Sequence, residues 1–222
     1  MTTRIYLIRH AATTLSAEDR FAGATNVQLS DEGRNQARHL ANRLSAFKPA
    51  AIYCSPMDRT VETATIIAQP HSLKPIARDG LREIAHGHWE GLTRDEVFEQ
   101  FPEEMEMWDA DPFAYAPPGG ETGMSVLMRA IPVLQEIVTT HPNQAVLVVS
   151  HKATNRIIVG HYLGIEQRGF RDRLDQKPAC LNILDFRDPV RARLMLLNDV
   201  SHYEAEPKRE HVHLSGWWAR DG

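Results

Sequence analysis

Apolar residues recur along this chain in two alternating rhythms. Short continuous apolar runs, of the kind a sheet buries on both faces, occupy Ile5 to Ile8, Ala51 to Cys54 and Ala145 to Val149. Two further strands are predicted at Leu181 to Phe186 and Arg193 to Leu197, joined by a turn at Asp188-Pro189. Between the strands the spacing is helical. Ser30-Asp31-Glu32 supplies an N-cap before a helix that carries Ala37, Leu40, Ala41 and Leu44 on one face. Ser55-Pro56 turns the chain into a helix from about Met57 to Ala68, since proline suits a first helical turn, where its missing N–H is not needed. A short helix is expected at Thr93 to Phe101. Loop chemistry follows over 109 to 121, in Asp111-Pro112, Pro117-Pro118 and Gly119-Gly120. A longer helix from Thr122 to Thr140 should bend or break at Pro132, and a last one runs from Ser150-His151 to about Leu163.

This βαβα order predicts an α/β fold: a three-layer α/β/α sandwich whose central sheet is mostly parallel, with helices on both faces. No repeat, low-complexity tract or linker divides the chain, so residues 1–222 read as one domain. Sheets of this kind place ligands beyond the carboxyl ends of their strands. Three predicted strand ends carry polar residues: Arg9-His10, Ser55-Pro56-Met57-Asp58-Arg59 and Ser150-His151. They should meet at one mouth.

Composition narrows the classes. At 222 residues, 42% hydrophobic and 24% charged, the chain suits a substantial soluble α/β domain. A net charge of -4 gives no footprint for nucleic acid or an anionic membrane surface. Any bound anion must therefore be drawn in by local basic groups. No stretch approaches the roughly 18 to 20 apolar residues that span a membrane, and no apolar signal core follows Met1, so the expectation is a cytoplasmic protein. Two cysteines cannot form a disulfide framework, and Cys54, inside an apolar run, is expected as a buried thiol.

Phosphoryl transfer needs an in-line nucleophile, neutralisation of the equatorial oxygens and a proton for the leaving oxygen. Neutral imidazole can attack phosphorus. Arginine's planar fork matches phosphate, and a carboxyl group beside bound phosphate can serve as general acid. Taken singly, a histidine among 11, a helix arginine or a Ser-His pair is an ordinary surface or structural feature. Their shared placement after strands points to an anion-handling site without naming the reaction.

At these residues the sequence resembles the histidine phosphatase superfamily, in its phosphoglycerate mutase-like branch. Ile5-Tyr6-Leu7-Ile8-Arg9-His10 is similar to the family's strand and signature pair. Arg20-Phe21-Ala22-Gly23 and Val27 to Ala37 resemble the following loop and helix. Ser55-Pro56-Met57-Asp58-Arg59 through Ala64, then Leu81-Arg82-Glu83-Ile84 with Gly87 to Leu92, then Val148-Val149-Ser150-His151 complete four ordered blocks. The resemblance implies a phosphoglycerate mutase-like fold and a phosphomonoester hydrolase acting through a phosphohistidine on His10. It implies Arg9, Arg59 and His151 as a phosphate clamp and Glu83 as general acid and then base. Thr13, Ser16, Gly23 and Lys152 would join them at the substrate.

Departures from the family pattern are Ala11 and Ser16, where glycine and asparagine are common, Asn26 in place of an acid, and Lys152-Ala153 in place of two glycines. Residues 86–121 are expected as a lid-like insertion, with Trp108, Phe113 and Tyr115 forming its core and Trp89 packed beneath a loop. Mutases of the family hold a bisphosphorylated priming ligand with basic residues. Here Glu96, Glu99, Glu103, Glu104, Glu106, Asp109 and Asp111 stand against Arg94, a surface expected to repel a second phosphate. Hydrolysis is therefore expected over a cofactor-dependent mutase or a weakly active phospho-ligand-binding module. No cofactor is called for. No metal is either, since His86 and His88 lack a set of carboxylates or cysteines. The expected partner is a small phosphorylated metabolite, with no nucleic acid or membrane and a homo-oligomer left open.

Overall fold

The apolar runs assemble into one sheet because each offers both faces to a layer of helices. The computed structural model describes residues 2–15 and 20–205. Its strands are β1 (Thr3–Arg9), β2 (Ala51–Cys54), β3 (Ile76–Ala77), β4 (Ala145–Ser150), β5 (Leu181–Asp188) and β6 (Arg191–Asp199), in the order β3-β2-β4-β1-β5-β6. The first four run parallel, whereas β5 pairs antiparallel with β1, and β6 with β5. The helices are α1 (Asp31–Leu44), α2 (Asp58–Ala68), α3 (Arg94–Gln100), α4 (Pro102–Ala110), α5 (Gly123–Thr140), α6 (Lys152–Leu163) and the single turn α7 (Phe170–Arg173).

Strand residues alternate between faces. Ile5, Leu7, Tyr53, Val146 and Val148 meet Leu134 and Ile137 of α5 and Ile158 of α6. Ile8, Ile52, Leu147 and Val149 meet Leu40 and Leu44 of α1 and Ala64 and Ile67 of α2. Each such aliphatic side chain contributes about 1.5–3 kcal/mol on burial. The result is the expected three-layer α/β/α arrangement.

Local chemistry explains the boundaries. Ser30 Oγ accepts the Gly33 N–H at 3.0 Å and caps α1. A Cβ at Gly33 would come within 2.0 Å of the Ala12 carbonyl, so only glycine lets the start of α1 approach this loop. Pro132 does not break α5, which runs unbroken through it. Pro132 and Met128 face solvent, so water can meet the Met128 carbonyl that proline leaves without an N–H partner. Helix α4 has no counterpart among the sequence-predicted elements. Pro102 cannot extend α3 but can start a new helix, and Phe101 between them leaves helical geometry (φ -137°, ψ 56°). Strand β3 is also additional: two exposed residues carry no periodic signal.

Phe21, Trp89, Val97, Met105 and Trp108 form a satellite core away from the sheet, bordered by Leu92, Phe101 and Tyr115. Cys54 and Cys180 are buried and unbridged, and burial pushes their thiols up to about 11 and about 12. Among the described residues no helix is long and apolar enough to cross a membrane. Ser16 and the Trp217-Trp218 pair lie outside the described residues.

Candidate active site

Strands β2, β4 and β1 are neighbours and parallel, so their carboxyl ends open on one edge of the sheet. The His10 N–H continues the ladder to the Ser150 carbonyl at 2.9 Å, and the Ala179 N–H binds the His10 carbonyl at 3.1 Å. This fixes the backbone on which the imidazole stands. The side chain is itself oriented: Nδ1 lies 2.8 Å from the Ala11 carbonyl. A carbonyl only accepts, so Nδ1 carries the proton and Nε2 keeps its lone pair. Burial, and then the charges of Arg9 and Arg59, hold His10 well below the usual imidazole range. Its neutral form is the stable one at neutral pH.

His151 lies behind His10, fully buried, with ring centroids 5.2 Å apart and planes at 63°. Its Nε2 is 2.8 Å from Ser55 Oγ. The Met57 N–H approaches the same oxygen at 3.4 Å. His151 Nδ1 is buried with no protein partner. Burial, followed by His10, Arg59 and Arg9, holds His151 well below its usual range too.

The arginines are braced by backbone carbonyls. Arg59 donates from Nη1 to Thr25 at 2.8 Å and from Nη2 to Gly23 at 2.9 Å. Arg9 donates from Nη1 to Gln176 at 2.6 Å. Nε of each is buried without a protein partner. Gly23 sits at φ +44°, and a Cβ there would lie 2.3 Å from Glu90 Oε1. Glu90 draws in the loop by accepting from the Ala24 N–H at 2.8 Å and the Thr25 hydroxyl at 2.6 Å. Gln176 is held from below: its side-chain amide exchanges two 2.8 Å hydrogen bonds with Asn182, which also donates to the Leu7 carbonyl.

Glu83 caps α6. Its Oε1 accepts from the Thr154 N–H at 3.2 Å and the Thr154 hydroxyl at 3.1 Å, and Oε2 accepts from the Ala153 N–H at 3.2 Å. The positive end of the helix therefore faces this carboxylate. Ser150 Oγ donates to the Leu81 carbonyl at 2.8 Å and ties the Glu83 segment to β4.

These groups border a cleft of about 720 Å³. Of the residues singled out in the sequence, Arg9, His10, Thr13, Gly23, Arg59, Glu83 and Lys152 line it, whereas His151 is fully buried against the His10 ring and does not line it. Trp89 is fully buried in the satellite core and does not line the cleft. Trp108 belongs to that core and also lines the cleft.

Two expectations need correction. Residues 86–121 contribute only His86 and Trp108 to the lining, so this segment is not the main rim. Its acids do not line the cleft: Glu99, Glu103 and Glu106 are exposed, and Glu96, Glu104 and Asp109 pair with Arg20, His88 and Arg94. The cleft is instead basic, with seven Arg and Lys side chains against four carboxylates. Repulsion of a second anion by an acidic rim therefore does not operate.

Sequence reasoning also missed residues that the fold brings in. Arg156, 5% exposed, stands one helical turn after Lys152 on α6, and the i, i+4 spacing is the signal that would have found it. Burial lowers its guanidinium to about 10. Arg171, from α7, and Asp175, Gln176 and Lys177, from the approach to β5, lie in a polar stretch with no periodic pattern. Among the described residues no cluster of three or more His, Cys, Asp or Glu side chains is placed to hold a metal ion.

Comparison with known proteins places this geometry. Residues 5–200 match the histidine phosphatase superfamily (branch 1). The chain is 36% identical over 167 residues to phosphoserine phosphatase 1 of Hydrogenobacter thermophilus, covering 75% of this chain and 79% of that protein. It is 33% identical over 204 residues to a bifunctional protein of Mycobacterium tuberculosis, covering 90% of this chain but only 55% of that one. Among solved structures, YhfR of Bacillus stearothermophilus superposes with a TM-score of 0.85 at 31% identity, covering 91% of this chain and all (100%) of that one. A mycobacterial glucosyl-3-phosphoglycerate phosphatase superposes with a TM-score of 0.81 at 26% identity, covering 89% and 99%. With these matches spanning the sheet and the cleft alike, the chain belongs to the histidine phosphatase superfamily, branch 1, and is a phosphatase.

Proposed function

We propose that this phosphatase hydrolyses a phosphomonoester of a small metabolite through a phosphohistidine on His10. The observation that carries this reading is the hydrogen bond from His10 Nδ1 to the Ala11 carbonyl. It leaves the Nε2 lone pair available on a neutral ring that borders the cleft. Around that atom, Arg9, Arg59 and the Nδ1–H of His151 supply donors for the phosphoryl oxygens. Their buried Nε and Nδ1 atoms lack protein partners, and such concentration of unsatisfied groups fits an anion site.

In the first step His10 Nε2 forms a bond to phosphorus as the ester P–O bond breaks. The proton of the Glu83 carboxyl goes to the leaving oxygen. In the second step Glu83 takes a proton from water, whose oxygen attacks phosphorus. The P–N bond breaks and inorganic phosphate leaves. Ser55 is a positioning residue here: by donating to His151 Nε2 it selects the tautomer whose Nδ1–H faces the phosphoryl group.

Quenching turnover of a labelled phosphomonoester tests this directly. Acid-labile label on His10, absent from His10→Ala together with activity, is expected. Turnover without label on His10, or isomerisation of 3-phosphoglycerate to its 2-isomer in place of phosphate release, would overturn it.

A further inference from the structure

The cleft holds more positive charge than one phosphate requires, and the surplus is not spread evenly. Arg9 and Arg59 are braced on carbonyls around His10. Arg156 and Arg171 are 5% and 7% exposed, border the same cleft, and are held quite differently. No described residue accepts a hydrogen bond from the Arg156 side chain, whose Nε is buried. Its nearest carboxylate, Asp175, stands 3.6 Å away with a side chain 46% exposed. Arg171 lies flat on Trp108, its guanidinium carbon 4.2 Å from the ring centroid. It meets Asp109 at 3.2 Å and Asp172 at 3.6 Å, but Nε and Nη1 find no aligned acceptor. Asp109 is moreover already engaged by both terminal nitrogens of Arg94.

A buried guanidinium without aligned acceptors is costly, because charge removed from water needs a partner of comparable strength. The fold nevertheless holds both in place. Phe170, next to Arg171, packs with Ile157, next to Arg156, in one apolar cluster. The segments that carry the two guanidiniums are thus packed together, and Arg156 stands near enough to Arg9 and Glu83 for their charges to act on it.

On this basis, and resting on the phosphomonoester hydrolase reading, we propose that Arg156 and Arg171 form a second anion subsite for a carboxylate carried by the substrate's leaving group. The favoured substrate is thus a phosphorylated carboxylic acid of metabolite size. Asp109, Asp172 and Asp175 already stand within 4 Å of the two guanidiniums, so a monoanion is favoured here over a phosphoryl dianion. A planar carboxylate also suits the guanidinium fork.

Matched esters test this without any mutation. Glycerol 3-phosphate and 3-phosphoglycerate differ by a hydroxymethyl group in place of a carboxylate, and phosphoethanolamine and phosphoserine differ by one carboxylate. In each pair the acid should show the higher kcat/KM, by about 10- to 100-fold, the range of one charge-assisted hydrogen-bonded contact. In Arg156→Gln and Arg171→Gln that ratio should collapse toward one, mainly through KM, and Arg171→Lys should recover part of it. A ratio near one in the unmutated protein would overturn the proposal. So would variants that slow both members of a pair equally. Preference for fructose 1,6-bisphosphate over fructose 6-phosphate, without preference for either acid, would overturn the choice of carboxylate. If no ester is turned over, p-nitrophenyl phosphate included, the hydrolase reading itself fails and takes this subsite with it.

Discussion

Replacing Ser55 by alanine tests whether His151 acts through a selected tautomer. Both side chains are fully buried, and their only direct link is the 2.8 Å contact between Ser55 Oγ and His151 Nε2. Removing the hydroxyl leaves Nε2 without a partner, at a cost of about 1–3 kcal/mol for an unsatisfied buried polar atom. At about 2–4 °C per kcal/mol for a chain of this size, Tm should fall by about 4–8 °C for a loss near 2 kcal/mol. The catalytic consequence is separate from that loss. Without Ser55 the proton is free to settle on Nε2, and Nδ1 then turns a lone pair, not an N–H, toward the phosphoryl oxygens. Losing one such contact in the transition state lowers kcat by about 10- to 100-fold, equivalent to about 1.4–2.8 kcal/mol. Nitrogen-15 NMR of the imidazoles reports which nitrogen of His151 is protonated, and steady-state kinetics on an aryl phosphate report kcat. Refutation would be a native His151 protonated on Nε2, or a folded Ser55→Ala enzyme that keeps its full kcat.

Two further outcomes follow from the same geometry. Glu83→Gln should slow alkyl phosphates far more than aryl phosphates, by about 100-fold or more against less than about tenfold, because only the poorer leaving group needs the proton; equal losses on both would remove Glu83 from that role. His10 and His151 are held well below their unfolded range by burial and by neighbouring arginines, and His86 down to about 4 by burial. Their contribution to stability is therefore present above the unfolded histidine value of about 6.5 and lost as pH falls toward the folded values. Thermal melts should show Tm dropping between about pH 6.5 and pH 4, and a Tm flat across that window would contradict the neutral-histidine assignment.

How much of this was legible in the sequence varies from element to element. The β1, β2 and β4 runs are apolar on both faces, so their strand identity and burial follow from composition alone. The Ser30 cap and the Pro56 turn announce their helices by backbone chemistry that acts over a few residues. The pairing of Arg9-His10, Arg59 and Ser150-His151 was readable because parallel neighbours necessarily open their carboxyl ends on the same edge. Helix α4 and strand β3 were not, since α4 begins at a proline that reads as a break and β3 is too short to have a period. The acids between Glu96 and Asp111 misled for a related reason: charge in a sequence has sign but no direction, and the fold either exposes these side chains or pairs them with Arg20, His88, Arg94 and Arg171.

The sequence by itself determined the layers of the fold and the chemical identity of His10 and the groups around it. Local periodicity and strand-end placement are short-range properties, and the chain carries them residue by residue. Only the tertiary structure decided the rest of the cleft lining, where Arg156, Arg171 and Gln176 come from segments with no shared pattern. It also decided the tautomer of His10, which depends on one acceptor, the Ala11 carbonyl, and it brought the Ser55 hydroxyl to His151 Nε2; both directions exist only once the backbone is folded.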